Sequence, residues 1–129
     1  MFENLNVFRM ASAMARHAGQ RQAIVAQNVA HADTPDYVSR DIPDFRNTYL
    51  PSSAGSGLRA TRARHLHGVL GGDAVPATFE IRDQATPNGN QVSLETEMLK
   101  SVDAKRQHDR ALAIYRTALN VLRSSLRTN

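Results

Sequence analysis

Between Gln20 and Phe45 the chain reads QRQAIVAQNVAHADTPDYVSRDIPDF, and within those residues a helix has to become something else. Ala23, Ile24, Val25, Ala26, Val29 and Ala30 supply apolar side chains, and nothing from Gln20 to Ala32 breaks helical spacing. Pro35 then disfavours the helical region for Thr34 and offers no backbone donor. Asp33 and Thr34 bond readily to neighbouring backbone groups, which suits a stop or a turn. Beyond them Tyr37, Val38, Ile42 and Phe45 are interspersed with Asp41, Pro43 and Asp44, as in an extended segment. Any fold of this chain must accommodate a long helix that turns abruptly into a strand-like excursion.

The helix reaches back toward the start of the chain. Over residues 5–31, Phe8, Ala11, Ala15, Ala18, Gln22, Val25 and Val29 recur at alternating spacings of three and four, a heptad seam. Its alanines let a second helix approach closely, and Gln22 is the kind of polar seam residue that fixes register. Met10 and Met14 lie off the seam, where adaptable side chains suit a further contact. A second helix is expected over residues 93–127. Ser93 is placed to cap it, Glu95 and Glu97 fall in the first turn, and Arg123 and Arg127 complement the other end. Leu112, Tyr115, Leu119, Leu122 and Leu126 form its seam, which turns polar upstream at Ser101, Lys105 and His108.

The middle of the chain has a different character. Pro51-Ser-Ser-Ala-Gly-Ser-Gly57 reads as a loop, and Ala60–Val69 as a short strand or irregular segment. Ala77–Arg82, with Phe79 and Ile81 alternating against polar neighbours, is the expected strand, isolated by turns at Gly71-Gly72 and Pro87-Asn-Gly-Asn90. The expected fold is mainly α. Residues 1–35 and 93–129 supply two terminal helices pairing as an antiparallel coiled coil, and 36–92 form an irregular middle segment with short β-strands.

Composition limits how self-sufficient such a fold is. Aromatic residues make up 5% of the chain and Trp is absent, so the apolar content rests on small and aliphatic side chains. Fully burying one large apolar side chain is worth roughly 1.5–3 kcal/mol, while ordering each residue costs about 1–2 kcal/mol. Two helices of this kind are marginal alone and more stable within an assembly that buries their remaining faces.

Function classes drop out in turn. The chain has no Cys, which excludes disulfides and thiolate metal sites. No apolar run approaches the roughly 20 residues needed to span a bilayer. Met1–Ala18 places Glu3 early and Arg9, Arg16 and His17 late, which does not fit a cleaved secretory signal. The net charge of +4 is spread out, and the basic knot of Arg59, Arg62 and Arg64 has no interleaved aromatics, so nucleic acid is not the expected partner. Neither a nucleophile elbow nor a phosphate-cradling loop is present. Glu95 and Glu97 point in different directions on a helix, and Asp33, Asp36, Asp41 and Asp44 match no calcium loop. His65 and His67 would share a face of a strand, yet no third ligand accompanies them. The expectation is no enzyme, no cofactor and no metal.

One motif points to a positive identity. Asn28-Val-Ala-His-Ala-Asp-Thr-Pro-Asp-Tyr37 resembles the N-terminal motif of the bacterial flagellar rod and hook proteins, and its Ala32-Asp-Thr-Pro35 variant resembles that of a proximal rod subunit. Thr61–His65 with Leu66, and Pro87-Asn-Gly-Asn-Gln-Val-Ser-Leu-Glu-Thr-Glu-Met98, agree with the same family. His31 stands where that family usually has Asn, and Asp36 where it usually has Gly. The resemblance implies a structural subunit of the flagellar basal-body rod, part of a torque-transmitting shaft around an export channel. Its implied partners are other rod proteins, the membrane (MS) ring with its rod adaptor protein, copies of itself and the export apparatus. Its implied location is the periplasmic stretch of the rod, reached uncleaved through the flagellar type III system. On this reading Asn28, Ala32, Asp33, Thr34, Pro35 and Tyr37 form an assembly motif. Phe8, Ala15, Val25 and Val29 then pack against Leu112, Tyr115, Leu119, Leu122 and Leu126. The alternatives are another axial rod or hook subunit, or a small basic helical nucleic-acid-binding protein.

Overall fold

A computed structural model describes residues 2–49, 76–82 and 85–126. Helix α1 spans Phe2–Ala30, strand β1 Ser39–Asp41, the single turn α2 Phe45–Thr48, strand β2 Phe79–Ile81 and helix α3 Leu94–Leu126. The segments 51–57, 60–69 and 71–72, with Arg59, Arg62, Arg64, His65 and His67, lie outside the described residues.

Two long helices, α1 of 29 residues and α3 of 33, carry most of the structure. They run antiparallel: Phe8 near the start of α1 meets Tyr115 on α3, and Asn28 at the end of α1 meets Glu97 in the first turn of α3. The buried residues keep heptad spacing, Ala11, Ala18 and Val25 on one helix and Ala104 and Ala111 on the other. With methyl groups facing across, the helices need no large side chain between them. The Leu-rich line of α3 falls one position beside this buried line. Leu112, Tyr115 and Leu126 are exposed, and Leu119 and Leu122 half-buried.

The end of α1 follows from its sequence. The His31 N–H bonds the carbonyls of both Gln27 and Asn28, Ala32 bonds Val29, and Thr34 bonds His31, so the ladder tightens just before Pro35. At the other helix, Ser93 caps α3 by accepting from Thr96 Oγ1 at 3.1 Å while its carbonyl takes the Glu97 N–H.

Between the helices, β1 and β2 form a two-stranded antiparallel sheet with Ser39 opposite Ile81, Arg40 opposite Glu80 and Asp41 opposite Phe79. The extended pattern expected through Phe45 ends sooner, because the Asp44 carbonyl accepts from Asn47 N, Thr48 N and Thr48 Oγ1 and closes the turn of α2. This connection is tied to α1 by His17, whose Nε2 donates to the Pro43 carbonyl at 2.8 Å and whose ring meets Phe45 edge-on. Ile42 is fully buried beside it.

Candidate functional site

The end of α1, the turn after it, β1, the turn at 86–90 and the start of α3 converge on three buried polar side chains: Asn28, Asn90 and Glu97. A polar group this deep is tolerated only if its hydrogen bonds are made.

Asn28, at 0% exposure, makes all four. Its Nδ2 donates to the Arg40 carbonyl at 2.7 Å and to Glu97 Oε2 at 3.0 Å. Its Oδ1 accepts from the Arg40 N–H at 3.1 Å and from the Tyr37 hydroxyl at 3.3 Å. Both main-chain groups of Arg40 are thus bound by one carboxamide, which occupies the outer edge of β1 as a neighbouring strand would.

Asn90 performs the matching task on the turn. Its Nδ2 donates to the carbonyls of His31 at 2.9 Å and Thr34 at 2.6 Å, and its Oδ1 accepts from the Val92 N–H. The carbonyls left over where α1 stops therefore find their donor on the segment that starts α3. Gln91 N donates to the Tyr37 carbonyl, and Asp36 N to the Asn88 carbonyl. Asp36 takes a left-handed φ of 56°, and Gly89 faces it with φ of 80°. A Cβ at Gly89 would meet the Asp36 carboxylate, which would have to swing aside, and the left-handed φ strains any other residue there.

An alternating line of charge runs out from Glu97. Lys100 Nζ reaches Glu97 Oε1 at 2.8 Å and Asp41 Oδ2 at 3.8 Å. Arg21 grips Asp41 with two nitrogens, Nε to Oδ1 at 3.1 Å and Nη2 to Oδ2 at 3.0 Å, and extends Nη1 to the exposed Asp44 at 3.5 Å. Burial lowers the Arg21 pKa, but the hydrogen bond and charge of Asp41, then Asp44 and Asp103, outweigh it and leave it raised. Sign alternates at every step, so no buried charge is left unpaired.

The motif residues are placed unevenly around this junction. Asn28 is at its centre, and Tyr37, half-buried, stacks on His31 with centroids 4.7 Å apart. Thr34 Oγ1 lies 3.2 Å from His31 Nδ1. Asp33, Thr34 and Pro35 are exposed. Ala32 and Asp33 line an open recess of about 540 Å³ with Thr86, Val92, Ser93, Leu94 and Glu95. Of the proposed seam, Val25 is buried, Phe8 packs on Tyr115 in a T-shaped contact, Ala15 is half-buried, and Val29 is exposed at 40%. Sequence reasoning read Glu97 as a first-turn acid, Asn90 as a turn residue and Asp41 as part of an extended segment. Arg21 and Lys100, the partners of Asp41, carried no local signal, since they pair across 20 residues or more.

The fold and its junction define a helical structural protein, one whose polar groups are spent on holding an angle between elements. No protein-family model matches the chain. Individual relatives do. It is 31% identical to the flagellar basal body rod protein FlgB of Agrobacterium fabrum over 81% of each chain. It is 30% identical to that of Salmonella typhimurium over 74% of each, and 29% identical to that of Escherichia coli over 81% of this chain and 84% of the relative. The chain belongs to the FlgB family of flagellar basal body rod proteins. Among the described residues no helix is long and apolar enough to cross a membrane.

Proposed function

We propose that this chain is a subunit of the proximal flagellar rod that polymerises with other rod proteins into the drive shaft and lines its export channel. The observation that carries this reading is the likeness to FlgB proteins over about four fifths of the chain. The motif Asn28–Tyr37 builds the junction and so belongs to the same argument. Head-to-tail contacts between copies and other rod proteins propagate a helical array. Residues 1–35 and 93–129 make the helical part and 36–92 the part that meets neighbours, the MS ring or its rod adaptor protein.

The exposed apolar residues of α3 support a role in packing against other subunits: Leu94, Met98, Leu99 and Val102 near its start, Val121 and Leu126 near its end. On this reading the chain leaves the cytoplasm through the flagellar export apparatus. A density map of extracted basal bodies tests it. The chain is expected in the shaft next to the membrane ring, and its absence there overturns the proposal.

A further inference from the structure

The two edges of the small sheet are not equivalent. Because Arg40 gives both its N–H and its C=O to Asn28, the Arg40–Glu80 pair is the non-hydrogen-bonded pair of the ladder. Glu80 therefore directs its own N–H and C=O away from β1, and by the two-residue period Thr78 and Arg82 do the same. The β1 edge is closed by a side chain, whereas no described residue pairs with the outer edge of β2. Phe79 there is 47% exposed, and Thr78, Glu80 and Arg82 are exposed as well.

We infer that the β2 edge is a docking site for a second copy of the same edge, giving a two-fold, four-stranded antiparallel sheet. The sequence of the edge selects the occupant. In the register centred on Ile81, each outward-facing Glu80 meets Arg82 of the other copy, and Ile81 meets Ile81. Both Glu80–Arg82 pairs fall at positions whose backbone groups face outward, so they form two hydrogen-bonded pairs with opposite charges side by side. Centring instead on Glu80 sets two carboxylates against each other, which disfavours that register. The Glu80 and Arg82 side chains already lie 3.8 Å apart within one chain and remain largely in solvent, so neither has to be uncovered for pairing. The contact is isologous and closes on itself. It cannot propagate a filament, so it describes a paired form of the free subunit that must open before the β2 edge can serve any other contact.

Sedimentation of the full chain across a wide concentration range tests this. Wild-type protein is expected to show a reversible monomer–dimer equilibrium. R82E sets like charges face to face and should weaken it roughly tenfold or more. E80P removes one outward N–H while sparing the ladder to β1, and should abolish it. The triple change R40E/E80R/R82E reverses these three charges while leaving Asp41 in place and keeping opposite signs opposed across both strand pairings, and should restore pairing. Circular dichroism checks that each variant keeps its helices. A wild-type chain that stays monomeric throughout overturns the inference. So do R82E and E80P variants that pair as tightly as wild type, or a folded triple variant that does not pair.

Discussion

The two ends of the helix pair are held by opposite kinds of chemistry. At the junction, Asn28, Glu97, Lys100, Asp41 and Arg21 form one connected polar network in which every buried charge has a partner. At the far end the contact is a Phe8–Tyr115 ring pair and small alanines, and beyond it Val121 and Leu126 are exposed, Leu126 at 73%. Hydrophobic contact is non-directional, whereas hydrogen bonds fix distance and angle. The junction therefore sets the geometry between the helices and the two-stranded sheet, and the far end leaves apolar surface exposed.

The largest expected effect is at the junction. Glu97→Ala leaves Lys100 with only its longer contact to Asp41 and one donor of the buried Asn28 without a partner, and should cost about 3–5 kcal/mol, read as a lower midpoint in urea unfolding. A loss below about 1 kcal/mol would mean that water enters the site and the network contributes little. Gly89→Ala comes next, at about 1–3 kcal/mol, because the new Cβ meets Asp36 Oδ1 in a left-handed backbone. Tyr37→Phe removes one of two bonds to Asn28 Oδ1 and should cost about 0.5–1.5 kcal/mol, since Arg40 N still satisfies that oxygen.

Gly19→Ala, midway along α1, should go the other way. No atom lies within 4 Å of the added methyl group, so thermal unfolding should show stabilisation of up to about 1 kcal/mol. The comparison is sharpest at Leu126→Asp. Monomer stability should move by no more than about 0.5 kcal/mol. Incorporation into the rod, scored by motility of a complemented strain, should fall. Normal motility would show that the exposed far end carries no contact.

Much of this was readable in the residues. The helix that stops before Pro35, the cap at Ser93 and the alternation at Phe79–Ile81 are local signals, and each element lies where its signal falls. The heptad of α1 was legible at Ala11, Ala18 and Val25. On α3 the buried line follows Ala104 and Ala111 rather than the larger leucines beside them, because close helix approach favours the small side chain. Hydrophobicity ranks Leu above Ala, and so cannot show which of two adjacent columns faces the partner. The junction was the least legible part. Asn28 lay inside a recognisable motif, but its bond to Glu97 spans 69 positions, and nothing within a short window tells a buried Glu from a first-turn Glu.

Asp36 and Gly89 have one more consequence. Each takes a backbone conformation that glycine favours, and the carboxylate of the first fills the space that a side chain on the second would need. Lineages with Asp at 36 should hold glycine at 89 more strictly than those with glycine at 36, which should tolerate Asn or Asp there more often. An alignment deep enough to sample both states would show the two columns changing together, although they lie 53 positions apart along the chain.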